Sequence, residues 1–296
     1  MRSRSLSLLI SFLCALLLSS ASWAEDPRFY KPYVLARITS DTLSAAVEST
    51  KTALSRGGFT VVGEYSPYEG AHVVVVTSDA LKAVAAQSEF GGYGSALRVG
   101  ITQVEDKIQI AYTNPSYMAH VYRMKGDLAD IAEAMKAALG AEREFGSEHG
   151  NTEFVLRKYH YMMFMPYFDD QLELAEYSDH QTALQAVENG LASGRGGTRK
   201  VYRIDLPGKE ESLFGVAINE GEGADKTVMT TTDIAPLKHT PHLPYELLVS
   251  GGNVYALHGK FRIAQSFPDL GMGTFMKISG APDGIEEALK AVARSE

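Results

Sequence analysis

The chain has 296 residues, 45% of them hydrophobic and 22% charged, with a formal net charge of −8. This composition is typical of a globular protein that is long enough to bury the cores of two ordinary domains. An acidic balance without a basic cluster repels phosphate backbones, so the composition argues against nucleic-acid binding.

The N-terminus has the pattern of a signal peptide. Arg2 and Arg4 precede an apolar run from Leu6 to Leu18, and Ser22-Trp23-Ala24 places small residues where a signal peptidase reads them. The run is shorter than the roughly 20 residues that cross a bilayer. We therefore expect residues 1–24 to be removed, and the mature protein to be periplasmic or secreted without an integral membrane anchor.

The cysteine count restricts the chemistry of the mature chain. Cys14 is the only cysteine of the sequence and lies within the predicted signal. Disulfides, Cys-ligated zinc and Cys nucleophiles all require the sulfur, so none is expected in the mature protein.

The first half, residues 25–145, predicts an α+β unit. A strand from residue 33 leads to a helix in which the apolar residues Leu43 to Leu54 repeat at helical spacing, with Ser40 as its cap. Two strands, a short helix and a hairpin follow, over residues 59–65, 72–77, 79–88, 97–104 and 108–112. Residues 118–124 are predicted as one more strand and 128–139 as the closing helix.

The second half, residues 153–296, predicts the same order of elements. Its strands are expected over 172–177, 201–206, 213–218, 245–249 and 254–257, with helices near Leu184 and Ile285. Residues 159–168 are predicted as an additional Met-rich strand. Residues 219–244 combine glycines, prolines and two histidines, so we expect an inserted long loop and the most specialised part of the chain.

Short sequence motifs of the first half recur in the second half. Ser40-Asp41 and Gly57-Gly58 reappear 138 and 139 residues later, and Glu133-Ala-Met-Lys-Ala reappears 154 residues later. Ile108-Gln-Ile-Ala is similarly echoed by Phe261-Arg-Ile-Ala. The pattern predicts two tandem copies of one β-α-β-β-α-β-β-(β)-α domain, with antiparallel sheets and helices packed on one face, forming a pseudo-dimer within one chain.

Three short sequence motifs of the first half resemble those of a known protein family. They are the helix end at Gly57-Gly58-Phe59, the strand-to-helix join Val73-Val-Val-Val-Thr-Ser-Asp and the close of a strand pair at Asn114-Pro115. With these motifs the chain resembles the bacterial domain-of-unknown-function 302 family. The resemblance implies an α+β fold related in shape to the TATA-box-binding-protein fold, and the pairing of two such units. It names no function.

Histidines of the expected insertion form a candidate metal site. His239 and His242 are separated by two residues, one of them proline, and could join His258 around copper or zinc. Asp233 is close enough in sequence to serve as a fourth ligand or as an orienting partner. The alternative is that these are solvent-exposed loop histidines.

A candidate ligand site follows in the sequence. Lys260 and Arg262 are predicted on one face of a strand, where with Tyr255 and His258 they could hold a small anion or carboxylate. The alternative is a solvated strand face paired with nearby acids.

Two further clusters carry weaker signals. The segment His160-Tyr-Met-Met-Phe-Met165 has soft sulfur donors suited to copper, but a strand would turn them to opposite faces. Asp169 and Asp170 diverge in an extended chain and are better explained as a polar element end than as an acid–base pair.

No catalytic motif is recognisable in the sequence. The leading hypothesis is therefore an exported, non-catalytic protein without a cofactor, which binds a small molecule or an envelope protein. The alternative is a metal-dependent accessory factor or enzyme that uses the three histidines.

Overall fold

A computed structural model describes residues 27–294. The predicted signal peptide, residues 1–24, lies outside the described residues. Between Pro27 and Arg294, no helix has both the length and the apolar character that a membrane crossing requires.

The first half begins with short strands and then alternates helices with strand pairs. Its elements are β1 (Phe29–Tyr30), β2 (Tyr33–Thr39), α1 (Leu43–Arg56), β3 (Thr60–Tyr65), β4 (Ala71–Thr77), α2 (Asp79–Ala86), β5 (Leu97–Val104), β6 (Lys107–Thr113), α3 (Pro115–Val121), α4 (Ala129–Leu139) and β7 (Arg143–Phe145). Thr42, not Ser40, caps α1, because its side chain accepts the Ala45 N–H.

The second half continues with a similar succession. Its elements are β8 (Asn151–Thr152), α5 (Glu153–Leu156), β9 (Leu172–Glu176), α6 (His180–Ala192), β10 (Thr198–Asp205), β11 (Glu211–Ile218), α7 (Asp225–Thr232), β12 (Tyr245–Ser250), β13 (Asn253–Ala256), α8 (Gly259–Ser266), α9 (Met272–Lys277) and α10 (Ala281–Ala293). Short 3-10 helices precede β5 (Gly91–Gly94) and β12 (Thr240–His242).

The strands form two large antiparallel sheets. One has the order β3-β4-β5-β6-β2-β7 and the other the order β10-β11-β12-β13-β9, while β1 pairs with β8. A bulge interrupts the β3–β4 pair between Val61 and Gly63, and another interrupts the β10–β11 pair between Lys200 and Tyr202. Helices and antiparallel sheets together confirm the predicted α+β class.

Both faces of the central strands are covered. The four valines from Val73 to Val76 in β4 are fully buried, which requires packing on both sides of the sheet. One large hydrophobic cluster contains residues of both halves. The 3-10 helix Thr240–His242 packs so closely on β5 that a Cβ on Gly100 would stand 2.8 Å from Pro241 Cδ.

A buried ionic network joins the two sheets. The Glu246 carboxylate on β12 accepts from Arg98 of β5, from Arg262 of α8 at 3.3 Å and from the Tyr202 hydroxyl at 3.1 Å. Arg98 Nε also donates to the Pro241 carbonyl at 2.9 Å. Since these ionic side chains are almost fully buried, each depends on the others for its counter-charge or hydrogen bonds.

A second buried contact connects the halves through α7. Asp225, the first residue of α7, accepts a hydrogen bond of 2.8 Å from the Tyr65 hydroxyl at the end of β3. Burial raises the pKa of the Asp225 carboxyl to about 7, although the Tyr65 hydrogen bond opposes the shift.

The predictions for residues 118–124 and 159–168 were wrong. Residues 115–121 form α3, which begins at Pro115 directly after the extended residue Asn114. All seven α3 residues are buried, so their apolar pattern cannot separate a helix from a strand. Residues 159–168 are irregular, with Phe164 at a φ of 68°.

The prediction of a long loop over residues 219–244 was also wrong. So was the prediction that the motifs starting at Ile108 and Phe261 occupy equivalent positions in the two halves. Residues 219–244 contain α7 and a 3-10 helix, at the place where the first half has α2 and the 3-10 helix Gly91–Gly94. Ile108–Ala111 lies in strand β6, whereas Phe261–Ala264 lies in helix α8. The two motifs therefore do not occupy equivalent elements.

Glu246→Gln removes the counter-charge of two buried guanidinium groups. We expect the free energy of unfolding to fall by about 3–5 kcal/mol in urea denaturation. The matched control is Glu188→Gln, which breaks partly exposed pairs with Lys200 and Arg203 and should cost about 1 kcal/mol or less. Equal losses in both variants would contradict the role given to Glu246.

Asp225→Asn should change the pH dependence of stability. The folded state keeps a proton that the unfolded carboxyl releases near its ordinary pKa of 3.8, so the free energy of unfolding falls as pH rises from 3.8 to about 7. The slope from this group is about 1.4 kcal/mol per pH unit. Urea midpoints measured at several pH values should show this slope in the wild type and not in the variant. The same pH dependence of stability in both proteins would contradict the prediction.

Candidate functional site

A cavity of about 550 Å³ lies where both halves meet. Its walls come from β7 and the two residues after it (143–147), from residues 232–239 at and after the end of α7, from residues 267–274 after α8, and from Lys31. The apolar lining includes Phe145, Leu237, Phe267 and Leu270. A cavity of this size with a mostly apolar surface and a small number of charged and polar side chains is the usual form of a small-molecule site.

One polar residue of the cavity wall, His239, is buried and is held in place by hydrogen bonds and ring contacts. Asp233 Oδ1 lies 2.9 Å from His239 Nδ1, and both Asp233 oxygens accept the His239 backbone N–H at 3.0 and 2.9 Å. The imidazole ring stacks on Phe267 with a centroid distance of 4.8 Å, and Tyr33 and Phe145 pack against it at 5.1 and 5.6 Å. The ring is therefore held in one orientation.

The other ring nitrogen of His239, Nε2, lies beside Gly146, which also lines the cavity. Within residues 27–294, Nε2 makes no hydrogen bond, and it is not among the fully enclosed polar atoms. It lies 3.3 Å from the position that a Cβ on Gly146 would take. Because Asp233 accepts from Nδ1, the neutral ring presents an Nε2 lone pair to a ligand, and the protonated ring presents an N–H.

His242 is fully engaged in the core. Its Nδ1 accepts from Arg262 at 3.0 Å, and its Nε2 lies 3.1 Å from the Tyr245 hydroxyl. Burial holds the pKa of His242 well below its ordinary value, and the charges of Arg262 and Arg98 add to this.

His258 lies at the start of α8, where its Nδ1 accepts the Lys260 backbone N–H at 3.2 Å. In the part of the chain that the structure describes, no three His, Asp or Glu side chains are grouped to hold a metal. The predicted set of His239, His242 and His258 therefore does not converge. Asp233 does take the orienting role expected of it, but toward His239 alone.

The structure also separates the residues of the predicted anion site. Gly259–Ser266 is a helix, so Lys260 and Arg262 do not share a strand face, and Arg262 is buried in the Glu246 network. Tyr255 packs against Phe90 at a centroid distance of 5.3 Å. His258 and Lys260 alone remain together, in an open cavity of about 400 Å³ beside Tyr167 and Asp170.

The two weaker clusters have separate structural roles. In the Met-rich segment, Met163 and Phe164 are exposed, whereas the His160 ring packs on Tyr167 at 4.4 Å. Asp169 pairs with Arg123 at 2.8 Å, and this hydrogen bond lowers the pKa of the carboxyl. Asp170 accepts the Tyr167 backbone N–H at 2.9 Å. Asp169 and Asp170 thus have separate partners and do not act as an acid–base pair.

Sequence reasoning missed most of the cavity wall. Phe145 and Phe267 are 122 positions apart and have no common motif, so only the packing around His239 brings them to one site. Phe145 also belongs to a small apolar cluster with Tyr33, Leu35 and Ala111, on which Leu237 packs.

Comparison of the chain with models of known protein families, with curated proteins and with solved structures finds no match. The resemblance to the domain-of-unknown-function 302 family therefore stays a prediction.

The hydrogen bonds of His242 predict its titration. We expect the ring to stay neutral and protonated at Nε2 well below its ordinary pKa of 6.5, because burial and two arginines oppose the charged form. Long-range ¹⁵N–¹H correlation spectra report the tautomer, and the spectrum of His242→Gln identifies the signal. An imidazolium signal from His242 above about pH 6 would contradict the assignment.

Proposed function

We propose that this protein is exported and binds a small molecule with an apolar body in the cavity beside His239. One observation carries the proposal: an apolar cavity contains an imidazole whose Nδ1 side is fixed by Asp233 and whose Nε2 is left without a protein partner. Apolar surface drives binding, and the oriented imidazole contributes to selecting the ligand.

The size and position of the cavity support a ligand rather than a packing defect. Its volume of about 550 Å³ falls within the usual range for small-molecule sites. Ile234 at its edge is 73% exposed, so apolar surface is available to an incoming ligand.

Tandem duplication, with the two copies acting as a pseudo-dimer, is part of the proposal. The succession β3-β4-β5-β6-β2 in one sheet corresponds to β10-β11-β12-β13-β9 in the other, and the paired bulges fall at corresponding places. The cavity uses β7 and the segment after α7, so one pseudo-dimer would have one such site. The family resemblance and the export signal are further expectations of the same proposal.

A metal-dependent role is the weaker candidate. It would need three ligands from His239, His242 and His258, but His242 uses both ring nitrogens in the core. No observation in the described chain favours it over small-molecule binding.

The binding proposal is tested by a variant that fills the cavity. Gly271 lines the cavity at an ordinary φ of −64°, and a Cβ there would meet no atom within 4 Å. We expect the neutral dye N-phenyl-1-naphthylamine to bind the wild type with one site per chain. Gly271→Trp should weaken this binding by about tenfold in a fluorescence titration, because the indole occupies the apolar space.

Gly273→Trp is the matched control. Gly273 lies two residues further on in α9, a Cβ there is equally unhindered, and the residue does not line the cavity. The control should bind the dye as the wild type does. A wild type without saturable binding, or equal binding by both variants, would contradict the proposal.

A further inference from the structure

We infer that the ligand of the His239 cavity is an amphipathic anion, whose acid group is held on the side of Arg143 and His239 while its apolar body enters the cavity. This inference rests on the proposed function and adds the chemical class of the ligand. It comes from which charged groups around the cavity already have partners.

The two acidic side chains that line the cavity are both engaged. One Glu144 oxygen accepts the Lys31 backbone N–H at 3.0 Å, and the other lies 3.6 Å from Arg28. The Asp269 oxygens accept from the Ser147 hydroxyl at 3.2 Å and from the Glu148 backbone N–H at 2.6 Å. Both carboxylates therefore hold the cavity wall together, which leaves them little capacity to receive a cationic ligand.

The two cationic side chains that line the cavity lack an acidic partner. Among residues 27–294, Arg143 makes no hydrogen bond or ion pair through its guanidinium group, and Lys31 Nζ donates only to the Glu148 carbonyl, at 2.9 Å. An exposed guanidinium at the edge of an apolar cavity can bind a carboxylate, sulfonate or phosphate with two parallel hydrogen bonds.

Strand geometry places the Arg143 side chain on the same face of β7 as Phe145. Arg143 and Phe145 are two residues apart in β7, so their side chains leave the strand on the same face, and Glu144 leaves it on the other. The Phe145 ring lies 5.6 Å from the His239 ring. Arg143 and the His239 ring therefore both lie on the Phe145 face of β7, and both line the cavity.

His239 complements an anion once it is protonated. Asp233 accepts from Nδ1 at 2.9 Å and balances the charge of the imidazolium, whose Nε2–H then lies beside Gly146 in the cavity wall. A neutral apolar ligand gains nothing from Arg143. The arrangement therefore selects molecules that join an acid group to an apolar chain or ring system.

Two dyes with the same anilinonaphthalene body test this inference. N-phenyl-1-naphthylamine is neutral, and 8-anilinonaphthalene-1-sulfonate carries an anionic group. We expect Arg143→Gln to weaken binding of the sulfonate dye by about five- to tenfold, while affinity for the neutral dye stays within about twofold of the wild type. Arg143 is exposed, and unchanged neutral-dye binding would show that the variant folds.

Arg199→Gln is the matched control, because Arg199 is also an exposed arginine without an ion pair in the described chain, but lies on β10 away from the cavity. It should leave both affinities unchanged. Equal loss of sulfonate binding in the two arginine variants, or no loss in Arg143→Gln, would overturn the inference while leaving the binding proposal in place. Failure of the neutral dye to bind the wild type would instead remove the proposed function itself.

Discussion

The fold depends on the buried carboxylate of Glu246, which compensates for the free-energy cost of burying charged side chains. Two guanidinium groups, from Arg98 and Arg262, share this carboxylate in a position closed to water. Taking such charges out of water costs several kcal/mol for each ion, and only well-formed ion pairs and hydrogen bonds offset that cost. The two sheets and α8 must therefore meet in one geometry, because a shift of any of them leaves a buried charge without its partner.

The same network fixes the segment that carries the candidate site. Arg98 donates to the carbonyl of Pro241, and Arg262 donates to the carbonyls of His242 and Pro244. The Arg98 bond holds the chain just after His239 to the sheet of the first half, and the Arg262 bonds hold it to α8. On the other side, the Gln109 side chain donates to the Pro236 carbonyl at 2.8 Å and accepts the Lys238 N–H at 3.0 Å. His239 is thus positioned from both directions by the partner half.

The network also bears on the proposed duplication. Arg98 lies opposite Val75 in β4, and Glu246 lies opposite Gly215 in β11, so the two charges stand at corresponding strand positions of the two halves. Two identical units would place like charges at this point, which is unfavourable in a buried site. If the halves arose as copies, opposite charges at one position favour pairing of a first half with a second half over pairing of two like halves.

Elements whose signals are local could be predicted from the amino-acid sequence alone. The spacing of apolar residues specified α1, α4, α6 and α10, and glycine- or proline-rich turns separated the strands, because a residue's neighbours along the chain decide these patterns. The link from Asp233 to His239 could also be predicted from the sequence, since the two residues are only six positions apart. Where every residue is buried, as in α3, the period disappears and the sequence could not distinguish helix from strand.

The surroundings of His239, and the separation of the predicted ligands, became visible only in the folded chain. Phe145 and Phe267 reach its ring from distant segments, and Arg262 turns from a supposed ligand contact into a buried partner of Glu246. Such assignments depend on long-range packing and on desolvation, which act between residues that are close in space and far apart in sequence. No periodicity along the chain records them.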